Sequence, residues 1–377
     1  MTRRAAVAFL AFVVTACRAT DSQPPPAGLI TNAQRDAALA SARVWHAPAI
    51  PINQANLGDN PANEGSPDTM EVSCRFSLQK VGGTTPKFYC TLDSGEIVKV
   101  KYGRWNPEPA GEVAATRLLH ALGFPADRMY VTSSVRCWGC PPFPFTALEC
   151  IERTGATRPC TIGASAARAV IFPGAVIERP LGGRKIEATP DQGWSWFELD
   201  RVEPARGGSS RAEIDALRLI AILLAHWDNK GPNQRLVCPG GQDRVDGSCA
   251  AALLMVQDLG ATFGPLKIDL HNWRRVQMWD DGAACRVSMK ALPFNGATFG
   301  THRISEEGRQ FALKLLRPLA RSQLSALFTT SGVTRFDHVT GEGHDAEAWV
   351  TAFMAKIDQI ALGGPCPSAA ELTARGE

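Results

Sequence analysis

At 377 residues and 40.5 kDa the chain is longer than one hydrophobic core normally fills, so two core-bearing domains or one bilobal unit are expected. Hydrophobic residues at 45% and charged residues at 20% exclude wholesale disorder. The net charge of +3, which falls to +1 without Arg3 and Arg4, excludes the basic footprint of a nucleic-acid binder.

Residues 1–16 join Arg3 and Arg4 to the apolar run 5–14, the layout of an export signal too short to remain as a membrane span. Val14-Thr15-Ala16-Cys17 resembles a bacterial lipobox, which implies cleavage before Cys17 and a lipid anchor there. Simple secretion is the alternative. The expected address is the cell envelope, outside the cytoplasm. Residues 17–70 are rich in Pro, Ala, Asn and Asp and read as a tether around one short helix near 32–43.

The cysteines fit that address. Eleven less Cys17 leaves ten, enough for five disulfides in an oxidising compartment. Cys74 with Cys90 and Cys238 with Cys249 flank expected hairpins and should pair. Cys137, Cys140, Cys150 and Cys160 have zinc-like spacing, but disulfides are the preferred reading because nothing nearby demands a metal. A thioredoxin-type role for Cys137-x-x-Cys140 needs a helix at Cys137, which Pro141, Pro142 and Pro144 oppose.

From 71 onward, runs at 71–80, 86–92 and 96–102 read as an antiparallel meander, with turns at Gly82-Gly83-Thr84-Thr85 and Asp93-Ser94-Gly95. Alternation puts Lys99 and Lys101 on one face of the third strand. A helix follows at 110–122, with Glu112 in its first turn and Gly123 as its stop. Further strands are expected within 166–180.

The pattern then turns helical. Ser210 and Glu213 form a capping box for a helix through 224 that is apolar nearly all round and must be buried. It delivers the polar loop 225–234. A hairpin with strands 235–238 and 250–256 leads to Asp258-Leu259-Gly260, and helices at 305–328 and 345–361 complete the second half.

Four fragments therefore stand in a fixed order: a strand lysine, a helix glutamate, Asp228-x4-Asn233 on a loop, and Asp258-x-Gly260 after a buried strand. Each alone is commonplace, and the conjunction is the signal. Phosphoryl transfer from a nucleotide needs this set, because its catalysis is mostly positioning and charge neutralisation. A lysine holds phosphate oxygens and a glutamate fixes the lysine. An aspartate orients the acceptor hydroxyl, and Asn and Asp oxygens suit a divalent cation.

This order and spacing resemble the protein-kinase-like fold. His226-x-Asp228-x4-Asn233 matches the catalytic loop, and Asp258-Leu259-Gly260 matches the metal-binding Asp-Phe-Gly element. The wording around Lys99-Val100-Lys101, Glu112-Val113-Ala114-Ala115 and Trp227-Asp228 is similar to atypical bacterial members, distantly related to HipA, phosphatidylinositol kinases and secretory-pathway kinases. The resemblance implies an α+β, bilobal fold: a small antiparallel β-rich N-lobe with one helix at 71–183, and a mainly helical C-lobe at 184–377. It implies ATP and Mg2+ or Mn2+ in the cleft. Lys101, or Lys99 on the same face, is the nucleotide lysine, and Glu112 is its partner. Asp228 is the catalytic aspartate, Asn233 and Asp258 are metal ligands, and Gly82, Gly83, Thr84 and Thr85 cover the phosphates. The full glycine-rich motif and the Ala-Pro-Glu element are missing, and Trp227 replaces the usual arginine. The expected activity is phosphoryl transfer to an unidentified hydroxyl on a protein, lipid or sugar. An inactive kinase-like binding lipoprotein, nucleotidyl transfer by the same site, and a disulfide-rich lipoprotein without a catalytic site are the alternatives.

Overall fold

The computed structural model describes residues 29–61, 71–179, 181–244, 247–293, 296–336 and 342–376. The expected export signal, the Cys17 lipid site and the stretches 17–28 and 62–70 lie outside them.

Residues 29–61 of the expected tether are instead part of the body. Thr31 caps α1 (Asn32–Ala40) with a complete capping box. Leu39, Ala42, Val44 and Leu57 are buried in the main core, and Arg35 forms a buried ion pair with Glu198 at 2.7 Å. Proline and asparagine content suggested a linker, but apolar residues between the prolines bury enough surface to dock the segment.

The meander forms as the alternation predicts. β1 (Glu71–Ser77) pairs antiparallel with β2 (Lys87–Leu92), and β2 with β3 (Ile97–Lys101). α2 (Glu108–Leu122) follows and ends at Gly123. Then come β4 (Arg128–Val131), β5 (Ser134–Trp138), α3 (Pro144–Thr154), α4 (Thr157–Cys160), β6 (Ala169–Pro173) and β7 (Val176–Arg179). The seven strands form one sheet in the order β4-β7-β3-β2-β1-β5-β6.

Two features depart from a small antiparallel sheet with one helix. β5 lies parallel to β1, and α3 and α4 are additional helices. The prolines that oppose a helix at Cys137 permit one seven residues later, because Pro144 occupies the first turn, where no backbone N–H is required.

The second half continues with β8 (Arg184–Lys185), α5 (Arg211–Leu224), β9 (Gln234–Cys238) and β10 (Leu253–Val256), the strands ordered β10-β9-β8. The Ser210–Glu213 capping box is present, and α5 is buried along most of its length. α6 (Leu270–Arg275), β11 (Arg286–Ser288) and β12 (Thr301–Arg303) precede α7 (Glu306–Leu316), α8 (Arg321–Ser331), α9 (Ala346–Leu362) and α10 (Ala369–Ala374). The single helix expected over 305–328 is two, broken at Arg317-Pro318, where proline lacks the amide and its ring clashes with the preceding turn.

One core lies within the sheet, around Phe88, Val100, Val135 and Phe172, and a larger one joins α1, α2 and the second-half helices. α2 touches both halves: Val113 packs on Met129 and Val176, while Ala114, Leu118 and Leu122 belong to the larger core.

All ten cysteines after Cys17 are bridged: Cys74–Cys90, Cys137–Cys140, Cys150–Cys160, Cys238–Cys249 and Cys285–Cys366. Both anticipated pairs form, and the four-cysteine cluster is bridged rather than open for zinc. Five disulfides suit an oxidising, extracytoplasmic compartment. No helix among the described residues is long and apolar enough to cross a membrane.

Buried Lys356 of α9 gives a measurable signature. Its ammonium donates to the Val276 carbonyl at 2.5 Å and lies 5.2 Å from the Trp273 ring centre. Burial lowers its pKa from 10.5 to about 7. Between those values the unfolded chain holds a proton that the folded chain lacks, so this lysine makes stability rise with pH across that window. Lys356→Met is expected to raise the unfolding temperature at pH 7 by about 3 °C. It should also flatten the climb from pH 7 to 9.5. Calorimetry at both pH values checks this, and a variant that climbs as steeply as the wild type contradicts it.

Candidate active site

β3 presents Lys99 and Lys101 to one face, as their spacing requires. Lys101 is buried, and its Nζ contacts Glu112 Oε2 at 2.5 Å, Glu178 Oε2 at 3.0 Å and Asp258 Oδ1 at 3.7 Å. Three carboxylates from a helix, a strand and a loop thus converge on one ammonium. Burial opposes the Lys101 charge, yet Glu112, Glu178 and Asp258 together hold its pKa well above 10.5.

The carboxylates differ in consequence. Burial lifts Glu112 to about 7 against the pull of Lys101, and its Oε1 has no hydrogen-bond partner. Burial pushes Glu178 up too, but Lys101 and Lys99 together bring it down to about 2. Asp258 also ends below the usual carboxylate range, because Lys101 and Lys87 outweigh its burial. Lys99 pairs with Glu178 and stands one register step from Lys101. Glu112 rather than Glu108 meets Lys101; Glu108 faces Lys267 at 3.5 Å.

Asp258 directly follows the strand pair. β9 and β10 are antiparallel with Val256 opposite Gln234, and Gln257 N donates to Asn233 O at 3.2 Å. Asn233 and Asp258 therefore leave the same end of the hairpin. Asp258 has φ 54°, a left-handed conformation that a non-glycine residue holds only where its surroundings enforce it.

Gly260 lies in the turn after Asp258 and also provides room. A β-carbon there would overlap the Glu108 side chain, and one at Gly111 would lie 3.3 Å from the Gly260 carbonyl oxygen. These two glycines let α2 approach the Asp258 segment closely, which is how Glu112 and Asp258 reach the same lysine.

The loop after α5 begins where Ala225 turns left-handed at φ 53°. His226 is fully buried, and burial lowers its pKa to about 4, so the ring is neutral at physiological pH. Its Nε2 meets the Gln234 side chain at 3.2 Å. Asp228 is partly exposed and paired with Lys230 at 3.1 Å, and Asn233 Nδ2 donates to the Asp228 carbonyl at 2.8 Å. The Asn233 amide oxygen accepts no hydrogen bond among the described residues. Trp194 and Trp196 are core residues, Trp194 donating to Met255 O at 3.0 Å.

Gly82, Gly83 and Thr84 are exposed in the loop from β1 to β2, and Thr85 is buried. They border the lysine cluster, because Lys87 at the start of β2 lies opposite Lys101 and its Nζ is 2.8 Å from where a Gly83 β-carbon would sit.

Sequence reasoning missed Glu178 and Lys87. Lys87 is the only charge in β2, and Glu178 is a buried carboxylate among the apolar residues of β7, next to the half-buried Arg179; a charge placed among apolar strand residues was the available signal. Asp127, also missed, is fully buried beside them, and burial followed by Glu178 raises its carboxyl well above the ordinary value.

The donor set fits a polyphosphate with a hard divalent cation: ammonium groups beside a glycine-bearing loop, with one carboxylate and one amide oxygen at the hairpin end. No family model matches the chain, and no curated protein matches it. Among solved structures it is similar to the Helicobacter pylori proinflammatory kinase CtkA, at 9% identity and a TM-score of 0.42, over 78% of this chain and 96% of that one. That overlay is loose.

Proposed function

We propose that the chain is an ATP-dependent phosphotransferase of protein-kinase-like fold, acting on a hydroxyl acceptor outside the cytoplasm. Residues 71–183 form its N-lobe and 184–377 its C-lobe, with a lipid on Cys17 holding it at the envelope. The observation that carries this reading is Lys101, locked by Glu112 on α2 and within 3.7 Å of Asp258. Such convergence costs desolvation of several charges, which a purely structural protein avoids more easily with apolar residues.

In this reading Lys101 neutralises phosphate oxygens, and Glu112 with Glu178 fixes its position. The 82–85 loop covers the phosphate chain. Asp258 and Asn233 would hold Mg2+ or Mn2+, which supplies charge neutralisation at the phosphates when bound. Asp228 orients the acceptor hydroxyl and receives its proton, while Lys230 beside it stabilises negative charge. Neutral His226 supports the loop from below. A partly exposed Asp228 side chain paired with Lys230 favours an active enzyme over an inactive binding module.

The direct test is calorimetric titration of ATP with Mg2+ or Mn2+ into the disulfide-intact protein, beside Asp258→Ala. The wild type is expected to bind, and the variant to lose at least about tenfold in affinity, the equivalent of one charge-assisted contact. No metal-dependent binding of any nucleoside triphosphate at millimolar concentration would refute the proposal.

A further inference from the structure

Three lysines reach this site, and they are not equivalent. Lys99 pairs with Glu178, and Lys101 is surrounded by carboxylates. Lys87 makes no hydrogen bond or ion pair among the described residues, although it is only 7% exposed.

Its placement is unfavourable without a ligand. Lys87 and Lys101 are directly opposed in the β2–β3 register, where side chains on one face stand about 5 Å apart and like charges repel. Lys101 is compensated three times over, whereas Lys87 has only the more distant fields of Asp258 and Glu108. Burial, followed by Lys101, lowers its pKa, as expected of a cation held ready without a counterion.

Lys87 is not sealed. A small part of its surface stays open to solvent. It lies under the 82–85 loop, close enough that a side chain at Gly83 would press on it; Gly83 is left-handed at φ 79°, which also suits glycine. The loop thus lies over this cation, which faces the Lys101 that reaches Asp258.

We infer that Lys87 is a phosphate-binding residue, and that with Lys101 it makes the site select ligands carrying a chain of phosphates over nucleosides and monophosphates. The identification of the chain with ATP rests on the function proposed above; the anion preference rests on Lys87 itself. A phosphate oxygen beside Lys87 supplies the missing counter-charge and relieves its repulsion with Lys101. A compact ammonium serves such an oxygen as a point charge.

The test is to measure binding of ATP, AMP, adenosine and inorganic triphosphate to the disulfide-intact wild type, Lys87→Met and Lys87→Arg, with Mg2+ present. Lys87→Met is expected to weaken ATP and triphosphate by about tenfold, one charge-assisted contact, and to change adenosine by less than twofold. Lys87→Arg should restore most of the loss, and retained adenosine binding shows that the variants are folded. ATP and triphosphate affinities within twofold of the wild type in Lys87→Met would overturn the role of Lys87 while leaving the nucleotide reading intact. Triphosphate binding that depends on Lys87, without any gain from adenosine, would uphold the anion site and refute the nucleotide. No binding of any of the four ligands by the wild type would refute both.

Discussion

Asp228→Ala is expected to lower phosphoryl-transfer turnover by about 10^2–10^4-fold, the usual contribution of a positioned general base. Nucleotide affinity should meanwhile stay within a few-fold of the wild type. The separation follows from geometry. Asp228 lies on the loop after α5 and pairs with Lys230, outside the Lys101–Glu112–Glu178–Asp258 cluster. Removing its carboxylate leaves that cluster intact, and the Asn233 side chain still has its bond to the 228 backbone carbonyl. Single-turnover assays with radiolabelled ATP and candidate acceptors, beside calorimetric titration, separate the two effects. Parallel loss of binding and turnover would place Asp228 with the phosphate ligands instead. Unchanged turnover would remove it from the chemistry.

Gly193→Ala should destabilise the protein by about 2–4 kcal/mol and disable the loop, although residue 193 touches no reacting group. Gly193 has φ 58°, and a β-carbon there would overlap the carbonyl oxygens of Gly231 and Gln234. These obstacles are backbone on both sides of Asn233, so no rotamer change relieves them. The chain must part, and the hairpin end that carries Asn233 moves with it. Denaturant unfolding gives the stability loss, and nucleotide affinity measured below the transition gives the displacement of the loop. Gly207→Ala is a fitting control, since Gly207 is also left-handed but nothing lies near its missing side chain. Equal effects of both substitutions would mean that backbone strain, and not the clash, is responsible.

The local elements were largely legible in the sequence because each is written in short-range chemistry. Alternation gave β1 to β3, the Ser210–Glu213 box gave the start of α5, and Gly123 gave the end of α2. What stayed hidden is long-range. That β5 runs parallel beside β1 depends on a crossover that no residue pattern records. The docking of residues 29–61 depends on surfaces formed much later in the chain, such as Glu198, 163 positions after Arg35. In the site, strand alternation narrowed the lysine to Lys99 or Lys101, the first turn of α2 offered Glu112, and Asp258 sits in a spaced motif. Glu178 and Lys87 sit in no motif; their importance arises from register, which joins β7 and β2 to β3.

The disulfides have one more consequence, for the order in which the protein can be made. Four bridges link cysteines only 16, 3, 10 and 11 positions apart, and the fifth spans 81. A polypeptide threaded across a membrane from its amino end meets the partner for each of the four soon after the first thiol emerges, so mispairing has little time to occur. Only Cys285 must wait, unoxidised, until Cys366 arrives. For a chain exported amino end first, correct cross-linking would therefore depend mainly on that one delayed closure.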